Sequence, residues 1–226
     1  MNNNNYKKMW VVSGVVVSAM LIISFWGWLQ IPAGTQVPVH FGIDGQPDRY
    51  GNPFWGMFTL PLTAIFVALI LSLVPKFEPR QENFQMSGRA YRATWITLLV
   101  FFLALHVILV MATLGIGQAN LLGTLLPTGL GALFVVLGNY MGKVRSNYMF
   151  GIRTPWTLAS ELSWNKTHRL GGRLMMAVGV TTIFANFLLP LEWTVGILIA
   201  GLVLMLIVTM VYSWMVYKDD PNVIKA

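Results

Sequence analysis

The sequence predicts an all-α integral membrane protein built as a bundle of six transmembrane helices. Three observations carry this. The 226 residues are 56% apolar and 10% charged, whereas soluble domains are about 25% charged. The mean hydropathy is +0.64. The charges are also gathered into clusters, which leaves residues 9–43, 50–75, 93–142, 174–191 and 193–217 without any. Cysteine is absent, which excludes disulfides, thiol catalysis and cysteine-based metal sites. The net charge is +7. On a membrane chain that excess is expected of cytoplasmic loops and needs no direct contact with nucleic acid.

A helix needs about 20 apolar residues to cross a bilayer. The gaps therefore give spans at about 9–29, 54–74, 93–114, 119–141, 172–190 and 194–217. The third and fourth spans share one uncharged stretch and are parted by Gly115-Ile116-Gly117-Gln118-Ala119-Asn120, a cluster of breakers and polar groups. Pro190-Leu191-Glu192-Trp193 is the break before the last span. Lys7 and Lys8 before an apolar run resemble a signal peptide. The run is longer than a signal core and lacks a small-x-small cleavage site, so a retained first span is expected. Trp10, Trp26, Trp28, Trp55, Trp95, Trp193 and Trp214 fall near span ends, where amphipathic rings favour the interface.

Lysine and arginine set the orientation. Lys7 and Lys8, then Lys76, Arg80, Arg89 and Arg92, then Lys143, Arg145, Arg153, Lys166, Arg169 and Arg173, then Lys218 and Lys225 share one side if the count is six; Arg49 alone is on the other. Both termini are thus expected in the cytoplasm. The chain divides into an amino-terminal two-helix unit, 1–92, with an outer loop at 30–53, and a four-helix unit, 93–226, with a cytoplasmic loop at 138–173.

Two loops are too long to be plain connections, and function is sought there. The outer loop is rich in proline and glycine, with Val37–Phe41 a candidate extended piece. Pro38, His40, Asp44, Asp48 and Tyr50 are its candidate binding residues. His40, Asp44 and Asp48 are metal-ligand types, but glycines and Pro47 prevent a helix that would align them. Capping of turns and pairing with Arg49 is the simpler expectation, and no metal is assigned. In the cytoplasmic loop, Thr154-Pro155 is an N-cap and first-turn pair, predicting a short interfacial helix over about 155–169. Glu161, Trp164, Asn165 and His168 would share one face, and Trp156, Ser160 and Trp164 a side. Such a helix is suited to lying on the inner leaflet, with anionic lipid available to Lys143, Arg145 and Arg153. The alternatives for the polar face are mutual satisfaction in a packed element or a binding surface for a ligand or protein.

The stretch Gly138-Asn139-Tyr140-Met141, Asn147-Tyr148, Gly151-Ile152-Arg153-Thr154-Pro155-Trp156-Thr157-Leu158, Ser160-Glu161 and Trp164-Asn165-Lys166-Thr167-His168-Arg169-Leu170-Gly171-Gly172 resembles the signature of the SdpI family of bacterial membrane immunity proteins. The outer loop, through Val37-Pro38-Val39-His40-Phe41, Gly45, Pro47-Asp48 and Tyr50-Gly51, is similar to a small uncharacterised domain often found at the amino end of that family. It departs at Asn52-Pro53, where a Ser or Asn followed by Lys is expected, and so loses an outer cation. The resemblance implies a multi-pass protein of the bacterial plasma membrane that protects the cell against a secreted, membrane-active peptide toxin. It also implies recruitment of a cytoplasmic autorepressor. It assigns no catalytic residue and no cofactor. The candidate partner surface is Asn139, Tyr140, Lys143, Arg145, Asn147, Gly151, Arg153, Thr154, Pro155, Trp156, Glu161, Trp164, Lys166, His168 and Arg169.

Within the spans, Pro61, Pro127, His106 and Asn186 lie in the outer halves, where a toxin would meet them. Polar groups in a membrane are functional candidates. The competing expectation is a bond from His106 to a neighbouring helix and solvation of Asn186. Gly138-x-x-x-Gly142 is either a close-packing face or the exit from a span. A small-molecule or ion transporter or channel is the rival class. Coupled transport usually uses buried carboxylates, and no Asp or Glu lies within the predicted spans. An intramembrane enzyme is disfavoured, since HExxH and Gly-x-Ser-x-Gly are both absent. The oligomeric state is left open.

Overall fold

The computed structural model describes residues 3–117 and 121–223. Eight helices occur among them: α1 (Asn3–Leu29), α2 (Pro53–Phe77), α3 (Gln81–Met86), α4 (Gly88–Thr113), α5 (Leu121–Met141), α6 (Pro155–Ala159), α7 (Glu161–Leu188) and α8 (Leu191–Lys218). All but α3 and α6 are long and apolar enough to cross a membrane, which makes six, as the uncharged gaps predict. Residues 118–120 of the expected turn and Lys225 lie outside the described residues.

The fold is not purely helical. Residues 37–41 and 47–51 form strands β1 and β2 of an antiparallel hairpin, with Val37 opposite Gly51 and His40 opposite Arg49. Buried Val37 anchors it on α2. A Cβ on Gly56 would come within 2.5 Å of the Val37 side chain, so glycine lets the hairpin seat there. We call this the hairpin end of the bundle, and the opposite end, where residues 139–172 begin their run, the signature end.

α1, α2 and α4 pack around Met20, Ala64, Ala68, Tyr91, Trp95 and Leu99. Polar ties cross this group. The Trp95 indole donates to Ser13 Oγ (3.0 Å), and the Tyr91 hydroxyl donates to the Leu71 carbonyl. Trp95 is fully buried, so it is a core residue and not an interfacial anchor. The remaining six span-end tryptophans are exposed.

α5, α7 and α8 form the other group, joined to the first by α4 against α5. The α5–α7 contact is the most extensive helix pair, and glycine explains it. A Cβ on Gly138 would lie 2.6 Å from the Gly172 carbonyl, and one on Gly172 would lie 2.5 Å from the Gly138 carbonyl. Gly131 and Gly179 repeat the arrangement at 2.6 and 2.4 Å. Two reciprocal glycine layers, seven residues apart on each helix, bring the backbones together as small residues do in membranes. Of the two readings of Gly138-x-x-x-Gly142, the close-packing face holds for Gly138 but not for Gly142, which follows the end of α5 and has only ordinary contacts with Arg169; the partner of Gly138 along α5 is Gly131.

Candidate functional site

The signature end is built on two buried acids and one arginine, contributed from far apart in the chain. Glu78 caps α2 in extended conformation and is 2% exposed. One carboxylate oxygen accepts from the Arg80 amide (2.8 Å), the other from the Tyr148 amide (2.9 Å). The Arg80 guanidinium donates to Ser146 Oγ, to the Tyr148 hydroxyl (3.1 Å) and to the Leu158 carbonyl (3.1 Å), and lies over the Tyr148 ring. The α2–α3 link thus clamps the loop after α5 and the helix α6. Asn83 donates to the Ser146 carbonyl (3.0 Å), and Ser87 Oγ accepts the Arg145 amide (2.8 Å).

Inside the loop, Asn147 is buried and closes its own turn. Its oxygen accepts the amides of Met149 and Phe150, as Asn side chains do in turns. Gly151 follows with φ +109°, and a Cβ there would lie 2.5 Å from His168 Nε2. Only glycine allows the backbone this close. The next amide, Ile152, then donates to His168 Nε2 at 3.0 Å. An amide can only donate, so Nε2 carries a lone pair. Nδ1 therefore holds the proton and donates to the Trp164 carbonyl at 2.9 Å. Trp164 stacks on His168 at 4.0 Å between centroids and donates to the Val144 carbonyl.

Thr154 caps α6 as expected, with a capping box to Thr157 and Pro155 in the first turn. The helix ends after five residues because Ser160 turns extended, accepts the Ser163 amide (2.9 Å) and caps α7. The single helix over 155–169 is thereby corrected: 155–159 is one helix, and 161–169 is the first part of α7, which continues into the span. Trp156 lies on α6 and buried Trp164 on α7, so they do not form one two-tryptophan face over 155–169 that could lie on a leaflet. Ser160 also donates to Asp220 at the end of α8, while Asn222 N donates to the other oxygen (2.9 Å). The Ser160 hydroxyl, then the Asn222 amide, hold the Asp220 carboxyl below its ordinary range.

The candidate residues therefore separate into two sets. Asn147, Thr154, Trp164 and His168, with Gly151 against the histidine, hold together the cluster of the α2–α3 link, the 143–154 loop, α6 and the start of α7, which we call the knot, and are not a free binding face. Arg153 is exposed but anchored to the Tyr148 carbonyl (2.6 Å), and Lys143 lies over the Tyr140 ring at 4.5 Å. Asn139, Arg145, Pro155, Glu161, Lys166 and Arg169 face outward, with Trp156 half-buried. Of the proposed face of α7, Trp164 and His168 point in, Glu161 is exposed and Asn165 is half-buried. Arg145, Glu161, Asn83 and Asn165 rim a notch of about 120 Å³. Sequence reasoning missed Glu78, Arg80 and Asp220. Their signal was weak: a carboxylate and an arginine flanking Pro79, with partners about 70 residues away.

At the hairpin end, His40 Nδ1 meets Asp48 at 2.6 Å, so Asp48 pairs with His40 in place of the expected Arg49. Asp44 caps its turn through the Gln46 amide (3.0 Å). Pro38 is half-buried and Tyr50 exposed. In the bundle, buried His106 Nε2 contacts Ser24 Oγ (3.0 Å) and the Met20 carbonyl (3.1 Å), while Ser24 donates to the Met57 carbonyl (2.8 Å). His106 is a satisfied tie across α1, α2 and α4. Asn186 donates to the Thr124 carbonyl (2.7 Å) and Thr128 Oγ1 (3.0 Å), so it ties α7 to α5 and is not simply solvated.

The loop after α5, with α6, α7 and most of α8, coincides with a known family region. Residues 143–213 match the SdpI/YfhL protein family. Residues 15–65, which hold most of α1, the hairpin and the start of α2, match a domain of unknown function, DUF1648. Over 121 residues the chain is 26% identical to the immunity protein SdpI of Bacillus subtilis (strain 168), covering 54% of this chain and 56% of that one. The match thus spans just over half the length of that relative. No solved structure matches. The SdpI segment on six apolar helices makes this a multi-pass membrane protein.

Proposed function

We propose that this chain is a membrane immunity protein of a bacterial plasma membrane, protecting the cell against a secreted, membrane-active peptide toxin. The observation that carries the reading is the SdpI/YfhL segment, which begins at the loop of the knot and is shared in part with a protein named for immunity. The positive side of the chain supports placing the signature end in the cytoplasm: fourteen of the fifteen lysines and arginines fall in segments assigned to it. Both termini then face inward, and the hairpin faces the toxin.

In this reading the knot is a rigid platform. Its hydrogen bonds close within the chain, except at the buried Thr167 hydroxyl, which has no partner among the described residues, and Arg145, Lys166 and Arg169 are left free to dock a partner such as a repressor. The hairpin end is where toxin engagement begins. The test is a killing assay: a sensitive strain expressing the chain is challenged with peptides secreted by the producer. Survival at doses that kill the parent strain is expected. Equal killing at normal membrane levels of the protein overturns the proposal.

A further inference from the structure

A groove of about 790 Å³ opens at the signature end where the start of α1, the end of α2 and α3 meet. Its volume is in the range of ligand sites. Lys7 and Lys76 line it from two different helices, with Gln81 and Gln85 from α3 and Trp10 and Val11 from α1. Both lysines are exposed. Among the described residues, no carboxylate comes within 4.0 Å of either ammonium, because the ion pair found is His40–Asp48. The nearest acid in sequence, Glu78, is buried and committed to the knot. The groove therefore holds two uncompensated cations and the Gln85 amide on one wall, and apolar surface on the other; the Gln81 amide is already given to the Pro75 and Glu78 carbonyls (2.8 and 2.6 Å).

The apolar wall continues. Val11, Val15 and Ile22 are exposed along α1, and a Cβ on Gly14 would meet nothing within 4 Å. Spacings of three, four and seven residues place these on one helix face, running from the groove towards the hairpin end. A polar, positively charged mouth leading onto an open apolar strip fits an amphipathic anion. Trp10, 43% exposed and edge-on to Trp95, lies at the junction, as interfacial rings do.

We propose that this groove binds the headgroup of an anionic phospholipid. The phosphate lies between Lys7 and Lys76, the Gln85 amide faces the glycerol, and one acyl chain follows Val11 and Val15. Basic pockets between transmembrane helices take anionic headgroups in this way. The site is separate from the cations of the knot and requires no toxin or partner protein.

The test measures phosphatidylglycerol retained by the intact chain in nanodiscs of phosphatidylcholine with a minor phosphatidylglycerol fraction, by native mass spectrometry and by Trp fluorescence. Removing one lysine is expected to weaken retention about five-fold, and Lys7→Gln with Lys76→Gln about thirty-fold. Lys7→Arg with Lys76→Arg is expected to retain it. Because all four substitutions are at exposed positions, size-exclusion profiles should stay monodisperse. Arg89→Gln with Arg173→Gln, both exposed and outside any candidate surface, removes the same charge elsewhere and should leave retention unchanged. Equal retention by wild type and the double Gln variant overturns the site, as does equal loss in the charge-matched control. Glycerol phosphate in free solution binding as tightly as the lipid overturns the lipid assignment in favour of a soluble phosphate.

Discussion

Replacing Gly172 with alanine separates two opposing effects. Intrinsic propensity favours alanine in a helix by about 0.8–1.0 kcal/mol. Packing opposes it. The new Cβ would sit 2.5 Å from the Gly138 carbonyl oxygen, where ordinary contact starts at 3.4 Å. The obstacle is backbone, so no side chain can rotate away, and α5 and α7 must separate by close to 1 Å. Overpacking of this kind costs about 1–3 kcal/mol, and weak Cα–H···O contacts across the interface are lost as well. The net expectation is destabilisation of about 1–2 kcal/mol, or a melting shift of roughly 3–6 °C downward. Gly179→Ala, at 2.4 Å from the Gly131 carbonyl, should behave alike. Gly14→Ala on α1 and Gly196→Ala on α8 supply the opposite sign. Neither Cβ would meet anything within 4 Å, so propensity acts alone and stability should hold or rise. Thermal unfolding in detergent, followed by size exclusion, reads all four. A cycle of Gly138→Ala with Gly172→Ala should cost less than the sum of its parts, because one separation serves both. The reasoning is refuted if Gly172→Ala and Gly179→Ala match Gly14→Ala in stability.

The knot and its surroundings give three further expectations. Glu78→Ala leaves the part-buried amides of Arg80 and Tyr148 without their carboxylate and should cost about 1–3 kcal/mol, seen as rapid proteolysis of the 143–160 loop in an otherwise inserted protein. The Asp220 carboxyl is held below its ordinary value by Ser160 and Asn222. Its contribution is therefore complete above about pH 4 and is lost as pH falls through the depressed value. Hydrogen exchange around residues 216–223 should accelerate in that acid window in the wild type, and Ser160→Ala should be fast already at pH 6. Finally, Lys166→Glu with Arg169→Glu reverses two outward charges that no knot contact uses. It should leave membrane levels normal and abolish recruitment of an acidic partner in pull-down; unchanged recruitment would separate partner docking from this face.

The six spans were legible because a bilayer imposes one strong rule, a long uncharged run, and the gaps around Met9–Ile43 or Trp193–Tyr217 state it directly. The Thr154-Pro155 cap was legible because capping is local. The ends were less so. α7 begins at Glu161, not 172, because the charges on Lys166, Arg169 and Arg173 mask a helix that runs on unbroken through Gly171-Gly172. Those glycines serve to admit the Gly138 carbonyl and Ile152. The knot was illegible because its bonds join Glu78 to Tyr148 and Ser160 to Asp220, and no local pattern reports contacts at that separation. Trp164 and His168 were read as part of a partner surface and lie fully buried, because helical spacing alone does not distinguish a face turned to a partner from one turned to the chain's own backbone.

Every functional assignment depends on which end of the bundle faces the cytoplasm. Because the chain contains no cysteine, single-cysteine accessibility labelling tests this directly in intact cells. Cysteine at Asp44, exposed beside the hairpin, should react with a membrane-impermeant maleimide from outside. Cysteine at Lys166 should react only after permeabilisation. Labelling of position 166 from outside with position 44 protected would place the knot on the wrong side of the membrane and contradict the account.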